Sequence, residues 1–152
     1  MKGFWFYGMA GAGKTTAAEY LASLQHNAFL IDGDVVRRYI STDLGYTEAD
    51  REIQIGRVFG ICLLAMDNQM VPIASTVFMN EQTLSAATKA GITVVEICRN
   101  HDDLAQVRTL YDGTHDNVVG VSVSLPSLAT TKIKNKRLDA FFEAIGQLLS
   151  AK

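Results

Sequence analysis

The chain has 152 residues, 48% of them apolar and 20% charged, and a formal net charge of −2. A chain of this length buries roughly 70% of its unfolded surface in one domain, and the near-neutral balance excludes a polybasic nucleic-acid or membrane binder, so an anionic ligand must be held by local positive charge. Cys62 and Cys98 lie in apolar runs without CxxC or Cys/His spacing, which excludes a zinc framework and reads as two buried, reduced thiols. No run approaches the ~20 apolar residues of a membrane span. The expectation is a cytoplasmic protein with no membrane and no nucleic-acid partner.

Along the chain, strand and helix patterns alternate. Gly3 to Tyr7 is aromatic and apolar and predicts a buried strand. Lys14 to Gln25 is rich in helix formers. Ala28 to Ile31 predicts a second strand and Asp34 to Ile40 a helix. Thr47 to Asn68 predicts a longer helix with Thr47 as its N-cap, because Ile55, Val58, Phe59, Cys62, Leu63 and Met66 recur at three and four. Val71 to Ser75 predicts a third strand. Glu81 to Ala90 predicts a helix stopped by Gly91. Ile92 to Ile97 and Val118 to Val123 predict the fourth and fifth strands. Leu138 to Leu149 predicts a closing amphipathic helix with Phe141, Phe142, Ile145, Leu148 and Leu149 on its inner face. Strands apolar on both faces and separated by helices imply an α/β three-layer sandwich: a five-stranded parallel sheet covered on both sides. A single domain is expected over residues 1–152, with the polar stretch 99–117 as a short lid.

Gly8-Met9-Ala10-Gly11-Ala12-Gly13-Lys14-Thr15 fits GxxxxGK[ST] at every fixed position, straight after a predicted strand and straight before a predicted helix. Glycines let several backbone N–H groups turn inward as an anion nest, and the helix N-terminus adds partial positive charge. The pattern implies a P-loop NTPase fold that binds ATP on Gly8, Ala10, Gly11, Ala12, Gly13, Lys14, Thr15 and Thr16. Lys14 is expected on the β- and γ-phosphates and the Thr15 hydroxyl on Mg²⁺.

The second predicted strand ends in Ile31-Asp32-Gly33-Asp34-Val35-Val36-Arg37. Ligands bind beyond the carboxyl ends of strands in an open parallel sheet, so Asp32 and Asp34 should face the phosphate cradle. A carboxylate there can accept a hydroxyl proton or hold Mg²⁺, and Arg37, one helical turn on, can clamp an anionic acceptor. The alternative reading makes Asp34 an N-cap with a surface salt bridge to Arg37 or Arg38.

In order, GMAGAGKTT, LIDGDVVR and DLGYTEADRE resemble the adenylylsulfate kinases, which carry GxxGxGKTT, DGDxVR and LGFSxxDR. The resemblance runs from Phe6 to about Arg57 and returns weakly at Leu110-Tyr111 and at 117–121. It implies a kinase moving the ATP γ-phosphoryl group to the ribose 3′-hydroxyl of adenylylsulfate. Carried over, Asp34 resembles the catalytic aspartate beside Lys14. Arg37 and Arg51 resemble the arginines that hold the acceptor's anionic group, and Tyr46 an aromatic residue that stacks on its base. Asp32, Gln54, Ser75, Thr76 and Arg108 complete the expected acceptor side. The departures fall on that side. Gln54 replaces an asparagine, Gly56-Arg57 a pair of arginines, Ser75-Thr76-Val77-Phe78 an ISP segment, and Arg108 a lysine, while Ser122 stands for an aspartate. A related branch acts on other nucleotide-linked anions such as cytidine diphosphoramidate, and the VVGV wording is similar to it. The partners implied are ATP and a small anionic nucleotide-type acceptor, with a homodimer as the assembly common in the family.

Other features read as bland. Lys132, Lys134, Lys136 and Arg137 predict a solvated basic run, and His26, His101 and His115 lack ligand spacing. Asn135-Lys136 is similar to the NKxD motif of GTPases, but the acid falls one residue late at Asp139, which disfavours a GTPase switch. The thinned acceptor-side arginines keep open a nucleotide-binding module without kinase activity.

Overall fold

The computed structural model describes residues 3–100, 119, 128 and 130–151. Its elements are β1 (Gly3–Tyr7), α1 (Lys14–Ser23), β2 (Ala28–Asp32), α2 (Gly33–Tyr39), α3 (Glu48–Asp67), β3 (Val71–Thr76), α4 (Glu81–Lys89), β4 (Ile92–Cys98), β5 (Thr131–Lys134) and α5 (Leu138–Gln147). The five strands form one sheet in the order β2-β3-β1-β4-β5, with every neighbouring pair parallel.

The central strand β1 shows why the sheet is covered twice. Side chains alternate across a strand, so Trp5 and Tyr7 enter one core while Phe4 and Phe6 enter the other. The first core takes Val36 from α2, Ile55, Val58 and Cys62 from α3, and Ala87 from α4. The second takes Ala17, Ala18 and Leu21 from α1 and Phe141 and Ile145 from α5. Each large side chain so buried is worth about 1.5–3 kcal/mol of transfer free energy. Gly3 leaves room for β3 here: a Cβ on it would lie 2.8 Å from Pro72 Cγ.

The helix ends follow their local chemistry. Thr47 caps α3 by accepting from the Asp50 N–H at 3.2 Å, as expected. Asn80 caps α4, and Gly91 at φ 90° ends it. Among the described residues no helix is long and apolar enough to cross a membrane.

One expectation changes, and another falls outside the described residues. The strand expected at Val118 to Val123 lies outside the described residues apart from Val119, which is buried. The described fifth strand is Thr131–Lys134, inside the run read as a solvated basic surface. Only Ile133 of that strand is buried, while Lys132 and Lys134 are exposed and Lys132 pairs with Glu96 at 3.3 Å. Lysines discourage further pairing at a sheet edge, so an edge strand does not carry the apolar run that marks a central one. At the opposite edge, β2 is not covered on both faces: Phe29 and Leu30 are 39% and 47% exposed.

Candidate active site

The turn between β1 and α1 depends on glycine at defined points. Gly8, Gly11 and Gly13 have φ of 149°, 82° and 106°, values that side-chain-bearing residues rarely adopt. A Cβ on Gly8 would strike the Ile97 carbonyl oxygen. Ala12 folds the loop back by donating its N–H to the Met9 carbonyl at 3.1 Å. Lys14 is buried, and its ammonium donates to the same carbonyl at 2.9 Å, so it arches over the loop. Thr15 and Thr16 are exposed in the first turn of α1. The whole segment is a concave arrangement of backbone N–H groups with one ammonium above it, a form suited to polyphosphate.

Asp32 joins this loop to the end of β2. Its Oδ1 accepts from the Asp34 and Val35 N–H groups at 2.8 and 3.3 Å and so caps α2. Its Oδ2 accepts from Thr15 Oγ1 at 3.2 Å and from Ser75 Oγ at 3.4 Å. This corrects the alternative in which Asp34 caps the helix: the cap is Asp32, and no salt bridge joins Asp34 to Arg37 or Arg38 among the described residues. Asp34 is exposed in the first turn of α2, at the sheet end that carries the phosphate loop. Among the described residues no cluster of three His, Cys, Asp or Glu side chains could hold a metal. The Thr15 hydroxyl and Asp32 carboxylate nevertheless form an all-oxygen pair, which fits a Mg²⁺ completed by phosphate oxygens and water.

The segment before α3 gathers the positive charge. The Arg37 guanidinium donates to the Gly45 carbonyl at 2.7 Å and lies 4.4 Å from the Tyr46 ring centre. Arg51 donates through Nε to the Tyr46 carbonyl at 3.1 Å and lies 5.5 Å from the same ring. Burial, and then the neighbouring Arg37 charge, lower the pKa of Arg51. The Asp50 carboxylate accepts from the Gly45 N–H at 3.2 Å and the Thr47 hydroxyl at 2.8 Å, which fixes the turn carrying Tyr46. The ring itself is 56% exposed, open to stacking. Gln54 is buried and donates to the Gly33 carbonyl at 3.0 Å, which orients its amide and leaves Oε1 without a partner. Ser75 and Thr76 are buried at the end of β3. Thr76 is already engaged, accepting from Trp5 Nε1 at 2.8 Å and donating to the Phe78 carbonyl at 2.9 Å. Arg57 is held by Asp43 through two hydrogen bonds of 2.6 and 2.8 Å.

Arg108, and the expected lid beyond Asn100, lie outside the described residues. Two residues to which the sequence reading assigned no place in the site reach the phosphate loop. Arg99 donates to the Gly11 carbonyl at 3.1 Å, and Asn135 to the Ala12 carbonyl at 2.9 Å. The sequence signal for Asn135 was its failed match to a GTPase motif, and Arg99 entered only as the first residue of the expected lid.

The sequence model of the adenylylsulphate kinase family matches residues 2–119. The chain belongs to that family, whose members are phosphotransferases with a hydroxyl acceptor. It is 31% identical to an adenylyl-sulfate kinase of Halothermothrix orenii, over 78% of this chain and 70% of that one. It is 32% identical to the bifunctional enzyme NodQ of Rhizobium sp., over 78% of this chain but only 21% of NodQ, so it spans about a fifth of that relative's length. The fold superposes on the Mycobacterium tuberculosis APS kinase CysC, solved with AMPPNP and APS, with a TM-score of 0.85 at 20% identity over 99% of this chain and 98% of that one. It also superposes on a gluconokinase of Sinorhizobium meliloti, with a TM-score of 0.67 at 15% identity over 98% of this chain and 94% of that one. Likeness at such identities is one of fold, shared by kinases of different acceptors.

Proposed function

We propose that residues 1–152 form one P-loop kinase domain that transfers the γ-phosphoryl group of ATP to a hydroxyl of a nucleotide-type acceptor, with the 3′-hydroxyl of adenylylsulfate as the first candidate. The observation that carries this reading is the contact between the Thr15 hydroxyl and Asp32 at 3.2 Å. It sets the phosphate loop against the turn bearing Asp34, whose helix leads to Arg37, Tyr46 and Arg51. In this reading Gly8 to Thr16 hold the triphosphate, and Lys14 offsets charge on the transferring group. Mg²⁺, when bound at Thr15 and Asp32, supplies charge neutralisation on the phosphates. Asp34 accepts the proton of the attacking hydroxyl, Arg37 and Arg51 hold the acceptor's anion, and Tyr46 stacks on its base. Gln54, Ser75, Thr76 and Arg108 are assigned to the acceptor side.

A second acceptor deserves a place in the test. Arg57, which stands at the family's paired arginines, is occupied by Asp43. This departure on the acceptor side keeps another nucleotide-linked anion, such as cytidine diphosphoramidate, as the alternative acceptor. The experiment incubates purified protein with γ-³²P-ATP, Mg²⁺ and a panel of both acceptors and other nucleotides. Labelled adenylylsulfate product is expected. Label on another acceptor alone reassigns the substrate, and ATP binding without transfer to any acceptor would falsify the kinase reading in favour of a nucleotide-binding module.

A further inference from the structure

The phosphate loop is gripped on its outer side by two side chains that the reading above leaves without a role. Arg99 follows β4 and donates to the Gly11 carbonyl at 3.1 Å. Asn135 follows β5 and donates through Nδ2 to the Ala12 carbonyl at 2.9 Å. Asn135 is itself anchored, because its backbone N–H donates to the Cys98 carbonyl at 2.8 Å. Its amide fills the space beside the last glycine of the loop: a Cβ on Gly13 would lie 2.6 Å from Nδ2 and 3.6 Å from Phe141 Cζ.

A trans peptide points its carbonyl and its N–H in opposite directions. The carbonyl that Asn135 engages shares its peptide with the Gly13 N–H. A donor fixed on the outer side therefore turns that N–H toward the concave side, where an anion nest needs it. Hydrogen bonding to the carbonyl also polarises the same peptide and makes its N–H a better donor. Arg99 acts one peptide earlier in a different sense: the N–H that shares the Gly11 peptide, that of Ala12, is given to the Met9 carbonyl, so Arg99 holds the fold of the loop and Asn135 sets the Gly13 N–H.

We infer that Asn135, supported by Arg99, is a positioning residue that sets the geometry of the phosphate nest, acting through the backbone and not by touching the base. The inference rests on the nucleotide-binding reading above. It predicts that losing the Asn135 amide weakens ligands in proportion to the phosphates they place in the loop, whatever base they carry.

The test measures Mg²⁺-ATP affinity with a fluorescent ATP analogue, and competition against it by ATP and by inorganic tripolyphosphate. The wild type is compared with Asn135→Ala and with Asn135→Leu, which is near in shape but has no donor. Both variants should lose about tenfold for ATP and for tripolyphosphate alike, the size expected of one hydrogen bond lost, with unliganded melting temperatures close to wild type. Two variants are used so that if one fails to fold the other still gives an answer. ATP affinity lost with tripolyphosphate unchanged would make Asn135 a base contact and overturn the inference, as would unchanged affinity for both ligands. A wild-type chain that binds no ATP would overturn the nucleotide reading itself, and this inference with it.

Discussion

Asp32 accepts from Thr15 Oγ1 at 3.2 Å with one carboxylate oxygen and caps α2 with the other. A single side chain thus orients the helix that carries Asp34 and Arg37 and stands beside the hydroxyl assigned to Mg²⁺. Its two jobs separate by mutation. Asp32→Ala removes the cap, which is worth about 1 kcal/mol, and should lower the melting temperature by several degrees. Asp32→Asn keeps an oxygen for the cap, so it should melt near wild type while needing more Mg²⁺ for half-saturation with ATP. A Mg²⁺ titration of ATP binding at fixed temperature checks this. An unchanged requirement in Asp32→Asn would leave the residue as a cap alone.

Asp34 is exposed, and its carboxylate takes no part in capping α2. Its removal should therefore cost little structure. Asp34→Ala should reduce turnover by about 10²–10⁴, the range for loss of a positioned acid–base group, with ATP affinity within twofold of wild type. Single-turnover transfer of γ-³²P measures it; retained turnover would show that the proton leaves by another route.

Tyr46 lies within 4.4 Å of the Arg37 guanidinium and 5.5 Å of that of Arg51 and is still exposed. Tyr46→Ala should raise the KM for the acceptor about tenfold, the worth of one stacking contact together with its cation–π partners, and leave the KM for ATP unchanged. Arg51→Lys tests geometry at constant charge. Lysine cannot reproduce the Nε bond to the Tyr46 carbonyl, so the acceptor KM should rise here as well. An effect on ATP instead of the acceptor would assign this platform to the donor nucleotide.

The Asp43–Arg57 pair gives a pH signature. The hydrogen bonds from Arg57 are the main cause that lowers the Asp43 carboxyl from 3.8 to about 2. A lowered native pKa means that the unfolded chain takes up its proton first. The pair therefore stabilises the fold above about pH 4, and that contribution is lost as pH falls through about 2. Arg57→Met should show a shallower fall of melting temperature between pH 4 and 2, with only a small change at pH 7 because Asp43 is exposed and Arg57 only partly buried. Identical acid limbs in the two proteins would count against the pair.

What the sequence showed and what it hid divide along one line. The motif Gly8 to Thr15, the Thr47 cap and the Gly91 stop were legible because each is a local pattern whose partners lie within a few residues. Most of the α3 face was legible for the same reason: Ile55, Val58 and Cys62 repeat at helical spacing, while Leu63, expected on that face, is exposed. β5 was not, because Ile133 alone faces inward there and the flanking lysines read as surface. Asn135 and Arg99 were missed because nothing in their neighbourhood announces a partner 123 or 88 residues away. The choice between Asp32 and Asp34 as cap turned on which carboxylate meets the free N–H groups of α2, a matter of one residue that periodicity does not resolve.

The sequence separation of 123 between Ala12 and Asn135 also bears on how the chain is made. The loop 8–15 is synthesised before β5, and its outer side meets Asn135 only after β5 has been made. At 5–20 residues per second the interval is roughly 6–25 s. Through that time a nascent chain carries the phosphate-binding motif without the contact that closes its outer side. Cellular ATP, which stabilises only what it binds, would then act as a late reward for a finished sheet and not as a template for an early one.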